Sequence, residues 1–297
     1  MDIFSYDTCF LKKLYIISQS PYKVTSSFLS PSIYARVILV KTKTKDQKIM
    51  RLSKNIFLLI GTFTPTLVYY ICEYLSECLQ AKLSHSLLCH CAAAFNPKSK
   101  KVVVIFGEKG AGKTTLLLNL CIKEQFQIIG NDLTRIRAYN GKLFACGGSS
   151  WFNIRRTAIL SDPLLNNSIH INESKCTSNW NNKIKILPRK LGIKEYVGIG
   201  EIERIYKIQL DKTEYYTKVL KWKGISQFLY LHENFGRYIL GQTMPRQIKD
   251  NYIGSLPIYN LKSNLKVRDM IVSRLCQTNA SILVGNDIET FLKVMDQ

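Results

Sequence analysis

The chain has 297 residues, 46% hydrophobic and 21% charged, enough apolar material for one large domain or two modest ones without disulfide or metal staples. That balance excludes a disordered or low-complexity chain. The formal net charge of +21 excludes a neutral surface and favours anionic partners: nucleic acid, acidic lipid, acidic peptide or phosphorylated ligands.

The N-terminus, "MDIFSYD", has no basic segment of the secretory type, so no signal peptide is expected. Residues 1–60 read as short strands, with "SQSPYK" and "SPS" as connections and "IYARVILVKTK" as a strand. The densest basic run is "KTKTKDQKIMRLSK", Lys41–Lys54. As a strand it places Lys41, Lys43 and Lys45 on one face, which is the pattern of a solvated sheet edge rather than a nucleic-acid site.

Asn55–Cys72 carries no charge over 18 residues, but Gly61, Thr62, Thr64 and Pro65 interrupt it. Beyond Pro65 the apolar residues Leu67, Val68, Ile71, Cys72, Leu75, Cys78, Leu79 and Leu83 form a helical stripe, with Glu73, Glu77 and Gln80 off it. Thr64-Pro65 reads as an N-cap followed by proline at the first helical position. The expectation is a strand or loop, then a core-packed helix at about 65–83, and no membrane span. The nine cysteines show no zinc or disulfide spacing, and "CHC" at Cys89–Cys91 is too tight for a zinc pair. Cysteines inside apolar runs act as small buried hydrophobes and suit a reducing cytoplasm, so a cytoplasmic location is expected.

"SLLCHCAAAFN", "PKSK" and "KVVVIFG" then read as a β-hairpin. A helix, "KTTLLLNLCIK", follows, then a buried strand, "FQIIGND", and a second hairpin, "RIRAYN" and "KLFACGG", around Asn140-Gly141. Residues 183–225 read as further strands. From about 258 the chain reads as helix, "SNLKVRDMIVSRL" and "NDIETFLKVM", the latter capped by Asn286. The expected class is α/β with a mixed sheet: an N-terminal α+β part at 1–83 and a larger part at 84–297.

The most informative stretch is "FGEKGAGKTT". Gly107, Glu108, Lys109, Gly110, Ala111, Gly112, Lys113 and Thr114 fit the phosphate-loop pattern G-x-x-x-x-G-K-[ST]. Its glycines let backbone N–H groups curl around a phosphate without a Cβ clash, and a helix start favours an anion. In such a loop Lys113 reaches the β- and γ-phosphates and the Thr114 hydroxyl ligates Mg²⁺. Thr115 is expected to add hydrogen bonding at the helix start. An apolar strand before the loop and a leucine-rich helix after it supply the context the pattern needs. No N-K-x-D guanine signature follows, and no L-S-G-G-Q.

The segment "LLCHCAAAFNPKSKKVVVIFGEKGAGKTTLLLNL" with "FQIIGNDLTRI" resembles the HPr kinase/phosphorylase family and its phosphoenolpyruvate-carboxykinase-like relatives, over about residues 84–140. The resemblance implies a P-loop kinase core using ATP or GTP with Mg²⁺. It implies a role for His90, which lies where the family has a histidine on the strand before the loop strand. Asn131-Asp132 falls at the family's tandem acidic pair. The first of those positions is associated with activating the acceptor hydroxyl, the second with metal and phosphate, so Asp132 would join Thr114 on the metal. Asn131 departs from the pattern, because an amide cannot accept a proton at neutral pH. Either Asp132 does both jobs, or His90 takes the proton, or the chemistry is altered.

In "GGSSWFNIRRTAIL" the resemblance implies that one arginine, Arg155, clamps the transferring phosphoryl group. Read as a strand, Arg155 and Arg156 point to opposite faces, so at most one enters the site, and surface charges are the alternative. "YVGIGEIERI" resembles a glycine-containing family segment, while Glu201 and Glu203 read as surface residues of a strand. The implied activity is transfer of a γ-phosphoryl group to a hydroxyl acceptor, either serine of a protein or peptide or a small metabolite, with an acidic acceptor favoured by charge. Members of the family form rings, so a homo-oligomer is implied too. The rival expectation is a nucleotide-binding regulatory or assembly module without phosphoryl transfer. A basic nucleic-acid-binding ATPase is a third.

Overall fold

Four short runs of alternating or apolar residues build the first sheet. They are β1 (Asp2–Phe4), β2 (Arg36–Val40), β3 (Lys48–Ser53) and β4 (Ile56–Ile60), in the order β1-β2-β4-β3. β1, β2 and β4 are parallel, and β3 is antiparallel to β4. The computed structural model describes residues 2–4, 36–42, 47–53, 56–149, 151–161, 166, 183–211, 216–236, 247–248, 251–252 and 261–296. The connections expected at 18–23 and 30–32, and Lys43 and Lys45, lie outside these. The chain divides into two units, Met1–Leu87 with Gly236–Arg268, and Leu88–Phe235 with Asp269–Gln297.

In the first unit the described end of the basic run, β3, is the edge strand, and almost all of it is exposed. Helix α1 (Pro65–Ser84) starts as its sequence dictates. The Thr64 side chain accepts from the Leu67 N–H at 3.2 Å, and Pro65 occupies the first turn. Leu67, Val68 and Ile71 are fully or almost fully buried. Glu73 and Glu77, expected off the apolar stripe, are buried too, at 1% and 0% exposure. Neither is without an interaction, as burying a carboxylate requires. Among the described residues no helix is long and apolar enough to cross a membrane.

β5 (Ser86–Cys89) leads into the second unit, followed by β6 (Ala92–Asn96) and β7 (Lys101–Phe106). β6 and β7 form the expected hairpin, with Asn96 Oδ1 accepting from the Lys98 N–H at 2.9 Å. Helix α2 (Lys113–Lys123) leads to β8 (Gln127–Gly130). β9 (Thr134–Tyr139) and β10 (Lys142–Gly148) are the second hairpin, turning at Asn140 and Gly141, both at positive φ. β11 (Phe152–Arg155) runs into the short helix α3 (Arg156–Ser161) and pairs with β12 (Lys183–Ile186).

β13 (Gly200–Leu210) is the longest strand; β14 (Lys218–Lys221) and α4 (Ile225–Asn234) follow. After β15 (Gln247–Ile248) and β16 (Asn251–Tyr252) come α5 (Leu261–Leu275), β17 (Asn279–Gly285) and α6 (Ile288–Asp296). The main sheet is mixed, in the order β5-β9-β10-β13-β7-β6-β8, with β17 beside β13 and β14 beside β17. β7, β13 and β17 are mutually parallel neighbours, while β6 is antiparallel to both β7 and β8.

Two expectations about the C-terminal part are corrected. Asn279–Gly285 is a strand, not helix, because β13 offers a free parallel edge to its "SILV" run over seven register pairs. Helix α6 is capped by Asp287, not Asn286. Asp287 Oδ1 accepts from the Glu289 N–H at 2.9 Å, and Oδ2 accepts from the Thr290 hydroxyl. One core cluster joins Val103, Ile105, Leu116, Leu120, Tyr206, Ile208, Phe291 and Leu292, so α2 and α6 share one face of the sheet. Cys89, Cys91 and Cys121 are buried and form no disulfide, and burial pushes the Cys121 thiol up to about 12.

The hydrogen bond from Thr290, with those from the α6 backbone, holds the Asp287 carboxylate below its usual range. A depressed folded value means the stabilisation is present above the ordinary carboxylate range and is lost as pH falls through the folded value. Asp287→Ala is expected to cost about 1 kcal/mol at neutral pH in urea denaturation. The difference from the parent chain should shrink as the pH is lowered below the carboxylate range.

Candidate functional site

Val102 to Phe106 of β7 are all buried, so the strand is held on both faces up to the point where the chain must turn. At Gly107 a Cβ would lie 2.9 Å from the Ile208 carbonyl oxygen and 3.0 Å from Ala111 Cβ, which leaves no room for a side chain. At Gly112 φ is 92°, and a Cβ there would meet Leu210 Cδ1 at 2.3 Å. The loop between them is tied down by the Leu210 N–H, which donates to the Ala111 carbonyl at 3.0 Å. The end of β13 therefore sets the shape of residues 107–112. Glu108, Lys109 and Gly110 are exposed.

Lys113, the first residue of α2, is only 6% exposed. Its Nζ donates to the Gly107 carbonyl at 2.7 Å and to the Glu108 carbonyl at 3.1 Å. Burial pushes the ammonium below the usual lysine range, and the nearby Asp132 carboxylate works against that shift. The N-cap of α2 is Gly112, which has no side chain to cap the helix start. The first-turn N–H groups of α2 stand beside this buried cation, an arrangement suited to an anion.

Thr114 Oγ1 donates to Asn131 Oδ1 at 3.2 Å. Asn131 is 0% exposed, and its Nδ2 donates to the Trp151 carbonyl at 3.0 Å. Its backbone is committed as well: the Asn131 N–H donates to the Ser149 carbonyl at 2.6 Å, and the Ser149 hydroxyl donates to the Asn131 carbonyl. Asp132, partly exposed at φ 66°, turns the chain away from β8 and keeps its carboxylate within the electrostatic reach of Lys113.

His90 lies between these groups because of strand order. β6 runs between β7 and β8, with Ala92 opposite Ile105 and Ala93 opposite Gly130. His90, two residues before Ala92, lies in the bend between β5 and β6, at the end of β6 that neighbours the end of β7. Its N–H donates to the Asn234 carbonyl of α4 at 3.2 Å. Arg155 ends β11, and a Cβ on Gly110 would come within 3.8 Å of its Nη1, so the guanidinium stands at the loop. Arg156 is not on the opposite face of a strand, as expected, because it begins α3. Glu201 is bonded by Lys101 at 2.7 Å and Lys142 at 3.0 Å, which fits its expected place on the strand's surface. The lysine bonds, Lys101's first, hold its carboxylate below the usual range.

Three contributors were not legible beforehand. Leu210 anchors the loop from about a hundred residues away in sequence. Lys207 and Tyr230 meet beside Phe106, with Lys207 Nζ 4.1 Å from the Tyr230 ring centroid. The parallel register of β13 with β7, which sets Lys207 beside Phe106, is the signal that places them. Among the described residues no group of three or more His, Cys, Asp or Glu is placed to hold a metal ion.

The chain matches no known family profile, and no curated protein matches it. Among solved structures it is similar to the Hpr(Ser) kinase/phosphatase from Coxiella burnetii, at 20% identity over 43% of this chain and 68% of that one, with a TM-score of 0.28. A likeness that slight assigns neither a fold family nor an activity.

Asn131 holds two opposite hydrogen-bonding roles at once, accepting from Thr114 and donating to the Trp151 carbonyl. Asn131→Asp would restore an acid but set a buried carboxylate against that carbonyl. The expected outcome is destabilisation by roughly 1–3 kcal/mol in chemical denaturation. Because the buried acid is tolerated best when protonated, the loss should grow as pH rises. An unchanged denaturation midpoint across pH would show that the amide is not needed.

Proposed function

We propose that the chain binds a nucleoside triphosphate, ATP or GTP, at Gly107–Thr114 and transfers its terminal phosphoryl group to a hydroxyl acceptor. The observation that carries this reading is the buried Lys113 ammonium, held by the carbonyls of its own loop at the start of α2. A buried lysine there stands against the positive dipole end that α2 presents at that point, an electrostatic cost that a bound anion would offset. Phosphate oxygens offer the ammonium full negative charge in place of two carbonyl dipoles.

The residues present fit a phosphate and, beside it, a magnesium ion. Loop glycines leave the space that a Cβ would fill. Thr114 donates a hydrogen bond to Asn131 through its hydroxyl, which leaves oxygen lone pairs for a cation, and Asp132 adds a carboxylate within electrostatic reach of Lys113. Mg²⁺ characteristically takes one or two such protein groups, with phosphate oxygens and water completing its shell. When bound it would neutralise charge on the phosphates.

In the transfer the bond between the γ-phosphorus and its bridging oxygen breaks, and a bond from the acceptor oxygen to the same phosphorus forms. Lys113 and Arg155 hold the phosphoryl oxygens, whose charge is spread widely in such a step. The acceptor's proton goes to Asp132 or His90. Asn131 takes no part in that transfer, because both ends of its amide are engaged and an amide accepts no proton at neutral pH. The Asn131 substitution is also what favours a second reading, a nucleotide-binding regulatory or assembly module that leaves the triphosphate intact. An acidic protein or peptide is the acceptor that a +21 chain would attract best.

Titration with fluorescent ATP and GTP derivatives in the presence of Mg²⁺ tests the binding step. Saturable binding is expected, weakened about tenfold or more by Lys113→Ala, a loss in the range of a charge-assisted hydrogen bond. No binding by the parent chain would refute the reading. With γ-labelled nucleotide, label moving to an acceptor supports transfer, while label staying on recoverable triphosphate favours the regulatory module.

A further inference from the structure

Alternation along β7 sends Ile105 into the core shared with α2 and Phe106 to the opposite face. On that second face Phe106 meets Trp222 and Tyr230 edge-on, with ring centroids 5.7 and 6.2 Å away, and Trp222 meets Tyr230 at 5.5 Å. Lys207, the neighbour of Phe106 in the parallel register, lays its ammonium over the Tyr230 ring. Three contacts thus fix the direction of one phenol. Its hydroxyl oxygen is buried; the Gly107 backbone is its nearest polar neighbour, and no group accepts the phenol's own proton at good geometry. It lies beside the Gly107 backbone, in the field of Glu108.

A buried hydroxyl whose proton finds no acceptor is costly, and native structures leave few of them without a reason. This one stands at the Gly107–Glu108 end of the loop, where the Lys113 ammonium also ends. In a loop of this pattern that lysine serves the outer phosphates. The Thr114 end, by contrast, is engaged with Asn131.

We infer that the Tyr230 hydroxyl donates a hydrogen bond to the terminal phosphate of the bound nucleotide, so that the site distinguishes triphosphate from diphosphate. The inference rests on the nucleotide-binding reading above. Burial pushes the Tyr230 phenol up, so the group is a donor throughout the neutral range. Lys207 is a positioning residue, acting through the ring that it covers.

Tyr230→Phe removes the oxygen and keeps the ring. Calorimetric titrations would compare the imido analogues of ATP and GTP with ADP and GDP, all with Mg²⁺, in the parent and the variant. The expected result is a Kd about tenfold higher for the favoured triphosphate analogue and within about twofold for the diphosphate, with an unchanged melting temperature. Lys207→Met should shift the triphosphate in the same direction by a smaller factor. Equal weakening of both nucleotides, or no change in either, overturns this inference while leaving the parent's own binding intact. A parent chain that binds neither nucleotide overturns the underlying reading as well.

Discussion

An ammonium group does not stay inside a folded chain unless oxygen atoms surround it. Lys113 imposes that condition on everything near it. The carbonyls of Gly107 and Glu108 turn inward to meet its Nζ, which sets the curl of the loop. Holding that curl requires a left-handed Gly112 and the Leu210 N–H bonded to the Ala111 carbonyl. The long strand β13 thereby becomes part of the loop's design, although it contributes no side chain with chemistry to the loop itself. A loop built around its own cation is prepared for an anion, because the carbonyls that satisfy Lys113 are weaker partners than phosphate oxygens.

Strand order does the rest of the assembly. Setting β6 antiparallel between β7 and β8 carries three unrelated stretches to one end of the sheet: the loop after β7, the turn before β6 with His90, and the bend after β8 with Asn131 and Asp132. The two faces of β7 then diverge in character. One is aliphatic and packs on α2. The other carries the aromatic group of Phe106, Trp222 and Tyr230. Asn131 joins Thr114 to the backbone of Trp151, so the loop and the β11 segment that ends in Arg155 are braced through one buried amide.

Much of the fold was legible from local chemistry. The Thr64-Pro65 cap, the Asn140-Gly141 turn and the extent of α2 each follow from interactions within a few residues, and those are written in the sequence. Asn279–Gly285 was misread as helix because a parallel strand has no local signature apart from its partner. Glu73 and Glu77 were misassigned because burial of a carboxylate depends on groups distant in the chain. Asp287 displaced Asn286 as the cap because the choice between adjacent capping residues depends on where the helix is anchored by packing. Arg156 was placed on a strand because the strand-to-helix change after Arg155 has no proline or glycine to announce it.

The candidate site divides along the same line. The sequence by itself determined the phosphate-loop pattern, its glycines and its lysine, because those residues act on their own neighbours through backbone sterics and a helix start. It also placed an amide where an acid was expected. Only the tertiary structure decided what surrounds the loop: Leu210 beneath Gly112, Arg155 beside Gly110, Asn131 on Thr114, and Tyr230 with Lys207 against Phe106. Those pairings depend on strand order and parallel register, which are set by how buried faces fit together across the whole unit and not by any short run of residues.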